Sequence, residues 1–244
     1  MMIAAGFLAA LLMTLRRGKK RGYDEDIIWG IFFCAIIGGM LGTRILYYIV
    51  EIPEILKDPS ILWDFKNGYV VYGGIIGGIL VGWLYCRIKK LKFLEYFDLM
   101  MPSIALAQGF GRIGCFLAGC CYGKETSGPL AVTYTNSDFA PNNVALIPTQ
   151  IYSGFLDFAH FLLLLYVAKH KKADGQVAAC YLIFYSIGRF VIEFFRGDIE
   201  RGSVGVLSTS QFISIFTTVA GIILLLTVVK KQKQEANISL NSKG

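Results

Sequence analysis

The chain has 244 residues, of which 55% are apolar and only 17% charged. A soluble domain carries about 25% charged residues, so lipid rather than water is the solvent for most of this protein. The formal charge of +7 does not point to nucleic acid, because Lys and Arg are gathered in short patches between apolar runs instead of covering one face.

With about twenty apolar residues taken as one crossing, the pattern predicts an all-α membrane protein with seven transmembrane helices. The first, near 1–15, is short and is followed by the basic patch Arg16 to Arg21, the reverse of a secretory signal peptide. The second, near 27–50, carries Gly38 and Gly42. The third, near 69–86, carries Gly74, Gly78 and Gly82. Glycines at four-residue intervals clear one helix face and let a neighbour approach. Gly73 and Gly74, beside Tyr72, also read as part of a site. A basic patch, Arg87 to Lys92, leads into the fourth span, near 95–119. Residues 120–149 then hold a Gly, Pro, Asn and Ser mixture with one strand-like patch, Ala131 to Thr135, which reads as a small external head between the fourth and fifth spans. Three more spans follow near 151–168, 177–195 and 208–229, with the basic patch Lys169 to Lys172 between the first two of them. Residues 1–229 thus form the transmembrane part, and 230–244, opening with Lys230 to Lys233, a polar and unstructured cytoplasmic tail.

The other connections are acidic, carrying Glu51, Glu54, Asp58, Asp64, Asp138, Asp198 and Glu200. Placing the basic patches in the cytoplasm puts the amino terminus outside and satisfies the charge rule at every crossing.

An ionisable group inside a span costs about 2.5 to 3.5 kcal/mol on insertion scales and normally faces a bundle interior or a cavity. Arg44, Arg112, Arg189 and Glu193 are such groups, with Asp98, Asp157 and His160 nearer span ends or less firmly placed. Three arginines on three spans outnumber their one obvious carboxylate. An anion would balance them, and the planar guanidinium fork suits phosphate, so a phospholipid headgroup is the natural ligand. Each has a plainer reading as well. Arg189 and Glu193, four apart on one face, also fit an internal pair, and Arg44 also fits a side chain snorkelling outward. Arg112 differs, because Gly109, Gly111 and Gly114 around it let backbone amides approach whatever the guanidinium holds. Arg196 fits an interface anchor, a lid or a ligand contact.

The six cysteines do not form a disulfide framework. Cys34, Cys86 and Cys180 behave as small apolar residues, whereas Cys115, Cys120 and Cys121 cluster at one span end. Their Cys-x4-Cys-Cys spacing lacks the two-plus-two pattern of a zinc site, and neither histidine is near in sequence; no metal is expected.

At this point the residues resemble a family. GRIGCFLAGCCYG, Gly111 to Gly123, is similar to the signature G-R-x-G-N-F-[IL]-N-x-E-x-x-G of bacterial prolipoprotein diacylglyceryl transferases. YGGIIGG (Tyr72 to Gly78) resembles the family's HGGLIG, IPTQIY (Ile147 to Tyr152) its HPSQLYE, VIEFFRGD (Val191 to Asp198) its VEFFRxPD, and STSQFISI (Ser208 to Ile215) its MGQILSI. GGMLGTRILYY, residues 38–48, is similar to the family's second span.

The resemblance implies transfer of a diacylglyceryl group from phosphatidylglycerol to the lipobox cysteine thiol of a prolipoprotein in the bacterial cytoplasmic membrane, releasing glycerol phosphate without a cofactor. It makes Arg112, Arg196 and Tyr72 the candidate catalytic residues. Arg112, Gly111, Gly114, Gly123, Arg44, Arg189, Glu193, Gln150, Cys115 and Cys120 become the candidate substrate-binding set. The chain departs from the pattern at Tyr72, where the family has histidine and tyrosine is a poor base. It departs again at Cys115 and Cys120, which replace the signature asparagine and glutamate, and at Ser153. Two other readings stay open: a paralogue using another lipid or acceptor, and a non-catalytic carrier or binding protein for an anionic lipid.

Overall fold

The computed structural model describes residues 1–63, 68–198 and 203–241. Asp64 and Glu200, two of the acidic connection residues, and the last three residues of the tail lie outside that set. The chain divides into two compact units, one of Met1–Thr14 with Leu94–Gly244 and one of Leu15–Phe93.

In the second unit, α2 (Glu25–Val50) starts at Asp24, whose carboxylate accepts from the Asp26 amide at 2.9 Å and so caps the first turn. A short helix α3 (Ile52–Ile55) and a 3-10 turn (Pro59–Trp63) follow. Then α4 (Val71–Ile88) packs along α2. Glycine faces make this close approach possible. A Cβ at Gly38 would stand 2.6 Å from the Gly77 carbonyl oxygen, and one at Gly42 would run into that of Gly73. The glycines after Tyr72 are therefore consumed in helix packing, and Gly77, not Gly82, completes the contact, since a Cβ at Gly82 meets nothing within 4 Å. With no hydrophobic force between helices in lipid, dispersion contacts of this kind hold the pair together.

The first unit is built from the start of α1 (Met2–Lys20), α5 (Phe93–Ala118), α6 (Thr149–His170), α7 (Gln176–Glu193) and α8 (Thr209–Asn241). Its core comprises Met101 and Ala105 of α5, Phe161, Leu164 and Ala168 of α6, and Val177 and Ala178 of α7. Thr14 Oγ1 donates to Ser103 Oγ at 2.8 Å, tying α1 to α5 through a buried pair of hydroxyls. Between α5 and α6 the chain is irregular apart from β1 (Val132–Thr133) and β2 (Ala145–Leu146), antiparallel with Val132 opposite Leu146. A second small hairpin, β3 (Ser203–Val204) with β4 (Leu207–Ser208), precedes α8.

The described chain is thus predominantly helical. Among the described residues, five helices are long and apolar enough to cross a membrane: α2, α4, α6, α7 and residues 209–234 of α8. α1 falls short because Arg16, Arg17, Lys19 and Lys20 end it, and α5 because it carries Glu95, Asp98, Gln108 and Arg112. The tail also differs from expectation, since α8 continues to Asn241. Lys, Gln and Glu propagate a helix well even where they bury nothing.

Candidate functional site

Arg112 lies six residues before the end of α5, on the face turned to α6. There its Nε stands 3.7 Å from Asp157 Oδ2, an ion pair longer than a hydrogen bond. Both groups line a cavity of about 300 Å³ together with Ser153, His160, Tyr185 and Arg189. Gly154 faces the arginine stem: a Cβ there would stand 3.4 Å from the Arg112 Cβ, in ordinary contact. Arg189 reaches the cavity from α7 and is held from two sides. Its Nη1 pairs with Glu193 Oε2 at 2.6 Å and its Nη2 donates to Ser210 Oγ of α8 at 2.8 Å. His160 stacks on Tyr181 with 5.2 Å between ring centres, and neither ring nitrogen meets a hydrogen-bond partner among the described residues. Asp157 and His160 are cavity residues that the sequence flagged as interior polar groups without placing; their spacing from Gln150 on one helix was the available signal.

A second cluster forms where α5 stops. Gly119, with φ +74°, adopts the left-handed conformation at the helix end. Its amide donates to the Phe116 carbonyl at 3.2 Å, and the Cys120 amide donates to the Cys115 carbonyl at 3.1 Å. This is a Schellman termination, which returns the residue after the left-handed glycine onto the residue five before it. Here those two residues are Cys120 and Cys115. Cys121, also left-handed at φ +64°, joins them, and the three thiol sulfurs lie within 4.8 Å of one another. Linear spacing counts against such a grouping, and the helix cap creates it.

The start of α6 fixes the cluster from behind. Gln150 Nε2 donates to the Cys120 carbonyl at 2.8 Å and Thr149 Oγ1 to the Cys121 carbonyl at 2.8 Å. Tyr134 and Ser137 donate to the Phe116 and Ala118 carbonyls, satisfying acceptors that a helix end leaves open. Burial pushes the Cys120 thiol up from its ordinary range, and Cys121 adds to the shift.

Arg196 comes to the same cluster. Residues 122–124 run between 145–147 and 195–197: the Lys124 amide donates to the Phe195 carbonyl at 2.9 Å, and the Gly123 amide to the Ile147 carbonyl at 3.0 Å. Gly123 is required here, because a Cβ would lie 2.6 Å from the Ile147 oxygen. The close approach expected of Gly123 is therefore to the protein's own backbone. Arg196 is 9% exposed and clasps Asp198 with two hydrogen bonds, Nε to Oδ1 at 2.8 Å and Nη2 to Oδ2 at 2.5 Å. Burial disfavours its charge, but Asp198 and a hydrogen bond to the Cys121 side chain outweigh this and hold the guanidinium above its ordinary value. Gly114 packs on Met2, whereas a Cβ at Gly111 meets nothing within 4 Å.

Arg44 and Tyr72 belong to the second unit. Arg44 does not snorkel. It is 9% exposed, donates to the Tyr48 hydroxyl at 2.8 Å and to the Leu62 and Gly68 carbonyls at 3.3 Å, and faces the Tyr48 ring at 4.8 Å. Tyr72 sits in the first turn of α4 and is partly exposed.

The fold and the interior charges together define a multi-pass helical membrane protein with a polar, arginine-faced interior. A profile of the family described as "Prolipoprotein diacylglyceryl transferase" matches residues 1–227. The phosphatidylglycerol–prolipoprotein diacylglyceryl transferase of Clostridium tetani is 53% identical over 221 residues, 91% of this chain and 88% of its own. A second such protein from Clostridium perfringens is 50% identical, with 91% and 87% covered, and one from Clostridioides difficile is 34% identical, with 98% and 92% covered. The chain belongs to the prolipoprotein diacylglyceryl transferase family.

Proposed function

We propose that this protein transfers the diacylglyceryl group of phosphatidylglycerol to the lipobox cysteine thiol of an exported prolipoprotein, releasing glycerol phosphate. The observation that carries the reading beyond family membership is Arg112. It is an interior guanidinium, loosely paired at 3.7 Å and opening on a cavity of about 300 Å³. That volume is at the low end of the roughly 300 to 1,000 Å³ of small-molecule sites and suits a phosphate headgroup whose acyl chains remain in lipid. In the reaction the sulfur attacks a glycerol carbon and negative charge grows on the departing phosphate. Arg112, on the cavity wall, would receive that charge, and a fixed cation in a dry site is worth most at that moment. Arg189, held by Glu193 and Ser210, supplies field and headgroup affinity. Arg196 and Gln150 act through the cysteine-bearing turn they fix. Gly111 leaves space for the ligand, while Gly114 and Gly123 support the site through packing. Arg44 holds the connection after α2, and Tyr72 is the candidate catalytic residue at the family's histidine position.

Adding α1 and α5 to the five apolar helices gives seven crossings with the amino terminus outside, the carboxyl terminus in the cytoplasm and residues 120–149 as an external head. The positions of the basic patches support this order.

The reading is tested by reconstitution with labelled phosphatidylglycerol and a lipobox peptide, measuring thioether and glycerol phosphate. Arg112→Gln is expected to lower kcat/KM by about a hundred- to a thousand-fold, the cost of one preorganised donor to developing charge. Arg112→Lys is expected to recover part of it, since the charge survives without the planar fork. Full turnover by Arg112→Gln overturns its role; lipid binding by wild type with no product overturns the transferase reading in favour of a carrier.

A further inference from the structure

Among the described residues, Cys115, Cys120 and Cys121 form the one group of three or more potential metal-ligating side chains. Their sulfurs lie within 4.8 Å of one another. In a tetrahedral zinc thiolate with Zn–S near 2.3 Å the sulfurs stand about 3.8 Å apart, so the cluster is within about 1 Å of the required spacing. Main-chain geometry produces this convergence: the Schellman hydrogen bonds place Cys120 over Cys115, and Gln150 and Thr149 hold the Cys120 and Cys121 carbonyls. Ligands fixed in this way need little reorganisation on binding an ion. Each of the three residues is half-buried, so an ion bound by them keeps a fourth position for an incoming ligand, as catalytic zinc sites do. The charge is balanced too. Three thiolates and a divalent cation carry one net negative charge, next to Arg196, which is paired with Gly123 two residues beyond Cys121.

We propose that Cys115, Cys120 and Cys121 bind a thiophilic d10 cation, zinc above all, as an open three-sulfur site whose fourth position takes the acceptor thiol. The catalytic use of this site rests on the transferase reading above; the site itself does not. Coordination removes a thiol proton outright, which supplies the thiolate that attack on carbon requires. The acceptor S–H releases its proton to water as its sulfur joins the ion. The sulfur lone pair then forms the C–S bond to the glycerol carbon while the C–O bond breaks, its electron pair leaving on the phosphate oxygen. Nothing is oxidised or reduced, and the thioether product, a weaker ligand than thiolate, departs.

Full-length protein in detergent, stripped by chelator, is titrated with Cd(II), whose thiolate charge-transfer absorption counts bound sulfurs. One equivalent bound through three thiolates is expected. Cys115→Ser, Cys120→Ser and Cys121→Ser should each weaken binding on the order of tenfold or more, with Cys34→Ser unchanged. A lipobox peptide should add one thiolate to the band and its Cys→Ser counterpart none. No band at stoichiometric Cd(II), or equal bands in all variants, overturns the site; a band to which the peptide adds nothing overturns its use on the acceptor. Turnover in phosphatidylglycerol vesicles separates the two proposals. A loss on the order of tenfold or more on stripping, restored by Zn(II), supports the inference. Equal turnover by stripped and loaded protein overturns it and leaves the transferase reading intact. No turnover by any form overturns the transferase reading, while the Cd(II) titration still decides whether the site exists.

Discussion

Replacing Asp98 by asparagine removes one charge and almost no volume from a side chain only 1% exposed. Its carboxylate accepts from the Gly175 amide at 2.9 Å, the Ala178 amide at 2.9 Å and Lys171 Nζ at 3.0 Å. The two amides belong to the first turn of α7, whose cap residue, Gly175, has no side chain to satisfy them. A carboxylate from α5 therefore caps α7 and sets the height at which α7 presents Arg189. All three partners are donors, so an asparagine oxygen serves one side while its NH2 group is turned against a donor. Lys171 keeps Asp174 at 2.9 Å, which leaves one of the two amide bonds as the main loss. That bond to a charged group at about 1.5 to 3 kcal/mol, together with about 1 to 3 kcal/mol for the buried amide left facing the NH2 group, makes Asp98→Asn cost about 3 to 5 kcal/mol, the range for breaking a buried charged contact. With about 2 to 4 °C per kcal/mol for a chain of this size, the thermal midpoint in detergent should fall by about 6 to 20 °C, read by tryptophan fluorescence. A midpoint within about 2 °C of wild type would refute the capping argument.

Two glycine substitutions should move in opposite senses. Gly73→Ala drives a methyl against the Gly42 carbonyl and to 2.6 Å from the Leu46 Cβ, and should cost about 1 to 3 kcal/mol by overpacking. Gly111→Ala meets nothing within 4 Å and gains up to about 1 kcal/mol of helix propensity. If Gly111 makes room for the headgroup, its KM should rise while its melting temperature holds or increases. Lys171 gives the pH prediction. Burial disfavours its charge, but hydrogen bonds to Asp174 and Asp98 prevail and raise it above the ordinary 10.5. Its contribution to stability is complete below pH 10.5 and disappears as pH rises through the higher folded value. The difference in thermal midpoint between wild type and Lys171→Met should therefore shrink above pH 10.5; a constant difference would contradict the pairing.

The apolar helices were legible because a crossing must satisfy its backbone internally and coat itself in hydrocarbon, which leaves long runs such as 27–50 and 208–229 in the sequence. The Arg189 and Glu193 pair was legible as well, since helical geometry fixes what four residues apart means. Contacts that depend on an unseen turn were not. Arg196 and Asp198 are two apart, a spacing that faces nothing in a helix, and they meet only because the chain has left α7. Asp98 and Gly175 are 77 residues apart, and no local pattern connects them. The thiol cluster lies between these cases. Gly119 directly after an apolar run is the usual mark of a helix end, and a left-handed cap at that glycine is the one local device that folds Cys120 back onto Cys115.

Each interior arginine of the first unit has an acid in reach, which at first sight removes the case for an anionic ligand. The geometry of the pairs restores it. Arg196 is held by two hydrogen bonds to Asp198, and Arg189 by Glu193 at 2.6 Å together with Ser210. A phosphate would have to displace Asp198 from Arg196, or the Glu193 ion pair and the Ser210 hydrogen bond from Arg189, to be bound by either side chain. Arg112 makes no hydrogen bond to Asp157 at 3.7 Å, so its donors are already oriented by a nearby charge but not used by it. The two tight pairs lock the surrounding helices and turn, and the loose pair leaves one guanidinium fork facing the cavity. On the proposed reading a ligand phosphate would gain charged hydrogen bonds without first breaking one, which is the condition under which a buried cation favours binding instead of merely enduring burial.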